Sequence, residues 1–492
     1  MTGIQAFLEI LARAGITHLF GNPGTTELPL NAALTQDSRF HYHLGLHEIP
    51  VMAMADGYTM ASGVPGVVNL HISCGLGNAM GMLYNAFIEG TPLIITAGQQ
   101  DRRLRLGEPV LEGDLVSVAR PWTKWAHEVQ RAEDIPQALR RAILTAQTPP
   151  TGPVFLSLPI DVQREHLEAF DLSPPNPVDT RVRPPLAALR QAADLLAGAR
   201  HPVVLAGSRV AEADAHAELA SLVECLGAPV FTESATTHGR LPCPSDHPHY
   251  RGVMPLWSPE IRARLEPFDV LFVVGMPLFR LYIHCQPEGP LPHHLRVIHL
   301  DSVFREVGKN HPIEVGLLGD PREGLADLTE LLRQRMTEPA RSAAEQRCRS
   351  LAGERREQTE KLQHAVQEQQ GVRPMTPLVF MEALTRNLPA HVAVVEEAVT
   401  SHQNYFERMG VLRDPNSFFA HRGWCLGWGM GCALGVKLAL PDRPVLALIG
   451  DGAALYGIQA LWSAAHERLP VVFVIANNAQ YRILKACGDV LR

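Results

Sequence analysis

The chain has 492 residues, of which 46% are apolar and 19% charged, and a formal net charge of −7. That length exceeds what one hydrophobic core serves and predicts about three domains. A weakly negative chain with no basic run excludes nucleic acid and anionic membrane as partners, and no apolar stretch of about 18 residues predicts a transmembrane helix.

In chain order, residues 1–172 alternate helical and strand patterns. A helix near 3–14 is followed by a strand at Thr17–Phe20, a helix after Glu27, and strands at Val67–Ile72, Leu93–Ala97 and Val154–Leu158. This alternation predicts a doubly wound parallel sheet. Glu9 and Arg13 interrupt the first apolar run, so it reads as an amphipathic helix and not a signal segment. The eight cysteines are scattered with no Cys-x-x-Cys pair, and together these features predict a reduced, cytoplasmic protein. The Pro-rich stretch Ser173–Pro185 reads as a linker.

Residues 182–340 form a second α/β unit, with strands at Val203–Ala206, Val270–Val274 and Val297–Leu300. Asp301 ends a strand where a ribose-binding acid would stand, but no glycine fingerprint accompanies it, so the unit is expected to be structural. Residues 341–372, dense in Arg, Glu and Gln, read as a solvated connecting helix. The third unit, 373–492, has strands at Val392–Val395, Val445–Ile449 and Val471–Ala476. The last two lack an alternating polar face and are expected to be buried on both sides.

The first of these two strands ends in Gly450-Asp451-Gly452 and the second in Asn477-Asn478. Ile458, Leu461, Trp462 and Ala465 recur at helical spacing between them. Strand, loop, helix, strand places both polar motifs at the carboxyl ends of neighbouring strands, the edge where open α/β sheets bind ligands. A hard divalent cation takes one or two oxygens from protein and the rest from phosphate and water, a demand that Asp451 and Asn478 meet. Glycines let backbone N–H groups approach a diphosphate. The plainer alternative is a tight βα turn followed by a polar loop.

These motifs resemble the signature of thiamine diphosphate enzymes. From Phe20-Gly21-Asn22-Pro23-Gly24 to the final residues, the chain is similar to the 2-oxoacid decarboxylase and acetolactate synthase superfamily, above all to its benzoylformate decarboxylase branch. The resemblance implies three doubly wound parallel-sheet domains, pyrimidine-binding, central and diphosphate-binding. It also implies thiamine diphosphate with Mg²⁺ (or Ca²⁺), with FAD in the central domain open but not favoured. The substrate would be a small 2-oxoacid. The active unit would be a homodimer within a homotetramer, each site drawing Glu48 from one chain and the diphosphate site from the other. Family members continue for several elements beyond this chain's Arg492, so the third domain is expected to be incomplete.

Residue by residue, the resemblance places Glu48 at N1′ of the cofactor's aminopyrimidine, where a shielded carboxylate favours the imino tautomer. Thr25 stands where related decarboxylases have a serine that meets the substrate carboxylate; as an alternative, Thr25 or Thr26 caps the following helix. His71 matches a histidine that handles protons, and either Tyr282 or His284 a second one. Thr400 and Ser401, after the Val392–Val395 strand and Glu397, would hold the diphosphate. The Trp424 carbonyl would face the 4′-amino group, and Leu426 would bend the cofactor into its V shape. Gly450, Asp451, Gly452, Ala453, Asn478 and Tyr481 would complete cofactor binding, with Asp451, Asn478 and Gln480 as metal ligands. His41, His43 and His47 are expected to be surface or packing residues. His421 and Arg422 replace small apolar residues of the benzoylformate enzymes, and Ala486 and Cys487 replace aromatics. Arg422 would either hold a second acidic group on the substrate or form a surface salt bridge. Decarboxylation to an aldehyde is the expected reaction. A carboligase of the acetolactate synthase or aldehyde lyase type, and a non-catalytic diphosphate-binding protein, are the alternatives.

Overall fold

The computed structural model describes all residues except 177, 234–238, 282, 285–288, 402 and 491–492. The chain divides into two compact units: residues 1–180, 393–397 and 421–479 form one, and residues 181–392, 398–420 and 480–492 the other.

The first unit contains a six-stranded parallel sheet in the order His41–Leu44, His18–Asn22, Val67–Leu70, Ile94–Gln99, Val154–Pro159, Ala126–Glu128. The three central strands are buried along their whole length, which is why they read as unbroken apolar runs. On one face Leu19, Val67, Ile94 and Leu156 pack against helices Gly3–Arg13 and Ile135–Gln147. The Gly3–Arg13 helix starts at Thr2, whose side chain accepts from the Gln5 backbone while the Gln5 side chain accepts from the Thr2 N–H.

The same unit holds a second parallel arrangement, in which Val445–Gly450 pairs with Ala393–Glu397 on one side and Val471–Ala476 on the other. Val445–Ile449 is buried as expected, but Val471–Ala476 is not: Val472 is 61% and Ile475 44% exposed. It is an edge strand, and no layer among the described residues covers its outer side chains.

Helix Glu48–Ser62 and helix Trp428–Ala439 are buried over most of their lengths and pack on each other. The approach is backbone to backbone: a Cβ on Gly435 would strike the Met54 carbonyl, one on Gly431 the Pro50 carbonyl, and one on Gly57 the Cys432 carbonyl. Trp428, wholly buried, anchors the start of its helix by donating from Nε1 to Asp56 Oδ2 at 2.7 Å. Burying such a ring contributes about 2–3 kcal/mol.

The second unit is built on another six-stranded parallel sheet, in the order Val315–Leu318, Arg296–Asp301, Val270–Val274, Pro202–Ala206, Val230–Thr232, Tyr250–Val253. Alternate residues feed two cores. Val204, Phe272, Val274, Ile298 and Leu300 face one, and Val203, Leu205, Leu271, Val273 and Val297 the other. The charged helix runs Glu338–Gln369 and buries only Ala344, Leu351 and Val366, in keeping with a solvated connector. It starts at Thr337, whose side chain accepts from the Ala340 N–H, a few residues before the charge-dense stretch from which it was read. Asp301 accepts from Arg209 Nε and Nη2 at 2.8 and 2.6 Å, so both carboxylate oxygens are engaged by one guanidinium, as suits a structural acid. The seven described cysteines are all free, and Cys285 lies outside the described residues. No helix among the described residues is long and apolar enough to cross a membrane.

Candidate active site

Glu48 is the first residue of its helix. His47 precedes it in extended conformation and accepts from the Ile49 N–H at 3.1 Å, so the histidine expected to be a packing residue is the helix cap. Only 4% of Glu48 is exposed. Its Oε1 accepts from Asn22 Nδ2 at 3.1 Å and its Oε2 from Asn78 Nδ2 at 3.0 Å. A buried carboxylate needs such partners, because removal from water without them costs several kcal/mol. Asn22 ends the His18–Asn22 strand and Asn78 lies on helix Ile72–Glu89; neither was singled out in the sequence.

His71 sits where Val67–Leu70 turns into helix Ile72–Glu89. Its Nδ1 is 2.8 Å from Glu27 Oε2 and 3.4 Å from Thr26 Oγ. A carboxylate at Nδ1 holds a proton there and leaves Nε2 as the acceptor nitrogen. Glu27 itself is 1% exposed and also accepts from the backbone N–H groups of Gly24 and Gly98 and from Thr26 Oγ. A sequence reading misses this acid, because nothing in Gly24-Thr25-Thr26-Glu27 distinguishes a helix-start glutamate from one turned inward. The structure also corrects the capping alternative for the threonines: neither caps helix Leu28–Leu34, which makes no side-chain cap bond. Thr25 is exposed, and Thr26 is buried and spent on Glu27. Gly24 is required here, since a Cβ would overlap the His71 ring.

The loop before helix Trp428–Ala439 is held by two buried acids and an amide. Glu397, following the expected diphosphate-binding strand, accepts from the N–H groups of Gly427, Trp428 and Gly429 at 2.9, 3.1 and 2.9 Å, with His421 Nε2 at 3.5 Å. It caps that helix, so its carboxylate is committed within the fold. Asn85 bonds both main-chain groups of Cys425: Cys425 N–H donates to Asn85 Oδ1 at 3.0 Å, and Asn85 Nδ2 donates to the Cys425 carbonyl at 2.9 Å. Trp424, in left-handed conformation at φ 64°, and Leu426 flank this clamp, and both are half-buried. Arg422 overturns both expectations for it. It is buried and paired with Glu89 at 3.1 Å, with side chains 2% and 3% exposed, so it is neither a surface ion pair nor available to a substrate.

At the carboxyl ends of the paired strands, the end where Glu397 also lies, Gly450 stands beside Ala476 in register, so Asp451 and Asn478 emerge next to each other on one sheet edge. Asp451 opens helix Asp451–Gly457 after Gly450, and a Cβ on Gly452 would meet nothing within 4 Å. Ala453 is buried; Asp451 and Asn478 are half-exposed. No group of three or more His, Cys, Asp or Glu among the described residues is placed to hold a metal. The Asp451 carboxylate and the Asn478 amide oxygen are hard donors of the kind that Mg²⁺ accepts beside a diphosphate. Thr400 and Ser401 are half-buried in the turn after Ala398, to whose carbonyl Ser401 N–H donates at 2.9 Å. Gln480 accepts from Lys485 Nζ at 2.6 Å, and Tyr481 is exposed. His284 is exposed within the second unit, and Tyr282 lies outside the described residues.

The fold holds a buried, bonded glutamate and an Asp/Asn pair at the edge of a second parallel sheet, and the chain belongs to the thiamine diphosphate enzymes. The thiamine pyrophosphate enzyme models for the N-terminal, central and C-terminal domains match residues 1–122, 189–328 and 398–486. Benzoylformate decarboxylase from Pseudomonas aeruginosa is 37% identical over 99% of this chain and 88% of its own. The acetolactate synthase isozyme 3 large subunit of Escherichia coli is 27% identical over 100% of this chain and 84% of its own. Among solved structures, the thiamine diphosphate-dependent 4-hydroxybenzoylformate decarboxylase of Rhodococcus jostii superposes with a TM-score of 0.87 at 30% identity, covering 100% of this chain and 89% of that one.

Proposed function

We propose that this protein decarboxylates a 2-oxoacid of the benzoylformate kind, non-oxidatively, to an aldehyde and CO₂. The observation that carries the reading is Glu48: a carboxylate 4% exposed, oriented by two amides, on a chain 37% identical to a benzoylformate decarboxylase. When bound, thiamine diphosphate supplies an electron-accepting thiazolium beside the carboxylate that leaves. Glu48 holds the proton at the aminopyrimidine N1′. His71, with Nδ1 fixed by Glu27, presents Nε2 as the proton-handling atom, and Thr25 offers its hydroxyl to the substrate carboxylate. His284 serves as a second histidine. The Trp424 carbonyl and Leu426, steadied through Asn85, position the pyrimidine. Gly450, Gly452, Ala453, Thr400, Ser401 and Tyr481 receive the cofactor with Asn478, and Asp451, Asn478 and Gln480 hold Mg²⁺ or Ca²⁺. The pyrimidine-binding domain is assigned to 1–172, the central scaffold to 182–340, the connector to 341–372 and the diphosphate-binding domain to 373–492. FAD is not assigned to the central scaffold, where Asp301 is engaged by Arg209. The protein is cytoplasmic and works as a homodimer within a homotetramer.

Release of CO₂ from benzoylformate in the presence of thiamine diphosphate and Mg²⁺ tests the reading, and its absence with every 2-oxoacid offered overturns it. The likeness to acetolactate synthases favours one second reading, carboligation. Product analysis with added aldehyde separates the two. For the shared site, a Glu48→Gln chain re-associated with an Asp451→Ala chain should regain activity that neither has alone. No recovery from confirmed hybrids places both residues in one chain's own site.

A further inference from the structure

Within the second unit, a cavity of about 450 Å³ opens between the Tyr250–Val253 edge strand and the long Glu338–Gln369 helix. Five cations line it, Arg251, Arg264, Arg355, Lys361 and Arg408, and among the described residues no carboxylate does. None of these residues belongs to the candidate cofactor site. Acids sit outside the lining: Glu354 lies 3.4 Å from Arg251, Glu357 2.6 Å from Lys361 on the solvated side of the helix, and Asp246 and Glu407 act on Arg355 and Tyr250.

The five cations are held in different ways. Arg251, its side chain 7% exposed, spends its guanidinium on the carbonyls of Pro248, Tyr250 and Leu351 as well as on Glu354. Arg355 donates from Nη2 to the carbonyls of Ser245 and Glu407, and no bond from its Nε or Nη1 is found among the described residues. Burial pulls the pKa of both guanidinium groups down by desolvation, against Glu354 beside Arg251 and against Tyr250 and Asp246 near Arg355. Arg264 and Arg408 make no ion pair among the described residues. Each lies over a ring, Arg264 over Phe231 at 5.5 Å and Arg408 over Tyr405 at 4.7 Å. Stacking uses the guanidinium face and leaves its N–H edge free for a bidentate acceptor.

We infer that this cavity binds a small molecule carrying two or more phosphate groups. Forked guanidinium edges match phosphate oxygens, and a surplus of cations around a concave site favours a multiply charged anion over a single carboxylate.

The test uses the full chain saturated with thiamine diphosphate and Mg²⁺, so that the diphosphate site is filled. Fructose 1,6-bisphosphate and tricarballylate are titrated calorimetrically at low salt. The bisphosphate is expected to bind, more weakly as salt is raised. The double variant Arg264→Gln/Arg408→Gln, which changes two exposed side chains, should weaken it about tenfold or more, two charge-assisted contacts being lost. Arg356→Gln, on the same helix but outside the cavity, should leave it unchanged. Circular dichroism verifies that both variants are folded. Four results would each overturn the inference: no heat from the bisphosphate, equal affinity in the double variant, displacement by further thiamine diphosphate, or tighter binding of tricarballylate.

Discussion

The two parallel sheets of the first unit carry the two halves of the proposed chemistry and treat them in opposite ways. At the edge of the six-stranded sheet, Glu48 is sealed and both its oxygens are bonded; at the edge of the sheet built on Val445–Gly450, Asp451 and Asn478 stand half-exposed. The contrast follows from what each half must do. An acid that fixes a proton position works best away from water, where its hydrogen bonds are strong. Ligands for a metal diphosphate must remain open to a large, charged, hydrated guest.

The sharpest way to break the comparison is Glu48→Gln. The amide keeps the shape but cannot take the proton at N1′, so activity should fall by about 10²–10⁴-fold while cofactor binding survives. Steady-state rates with a cofactor titration check this, and loss of binding would mean that Glu48 is structural. Asp451→Ala should do the reverse, abolishing the shift in melting temperature given by cofactor plus Mg²⁺, worth about 3–4 kcal/mol at saturating ligand. Full retention of that shift would put the metal elsewhere.

Two further changes probe the packed helix pair Glu48–Ser62 and Trp428–Ala439. Burial raises the Asp56 carboxyl to about 6, chiefly by desolvation, against the bond from Trp428. A folded-state pKa above the unfolded one means that the folded chain binds the extra proton, so this stabilisation is full at low pH and is lost as pH rises from about 4 through about 6. Asp56→Asn should be more stable than the parent above that window by up to about 3 kcal/mol, and the gap should close towards pH 4. Comparing the two chains isolates Asp56 from His18, whose burial-lowered pKa of about 4 works in the opposite direction. A gap independent of pH would show that Asp56 does not titrate there. Finally, Gly435→Ala, which in an exposed helix would stabilise, should cost about 2 kcal/mol by forcing the helices apart at the Met54 carbonyl. Unchanged denaturation midpoints would show that the helices yield.

How much of this could be read from the sequence depended on whether the signal was local. Val67–Leu70 and Val445–Ile449 announced themselves as apolar runs, and Gly450-Asp451-Gly452 as a strand-end turn, because each needs only its own neighbours. Val471–Ala476 shows the same apolar run, while its exposure among the described residues depends on what packs on it, which no local pattern carries. Glu27, Asn22 and Asn78 went unnoticed because their roles come from folding, which brings Glu27 to His71 and both asparagines to Glu48. Arg422 was misread because its partner, Glu89, is remote in sequence, and no local pattern reveals such a pairing.

The Asn85 clamp has an evolutionary side. It grips position 425 by the main chain, so what it enforces is a path for the loop and not the identity of any residue on it. The clamp contacts neither the Trp424 nor the Leu426 side chain, although the φ of 64° at Trp424 restricts what can stand there, and room is tight at the middle residue, since a Cβ on Gly81 would crowd the Cys425 sulfur. A lineage could therefore vary the Leu426 side chain without loosening the clamp's hold on the main chain.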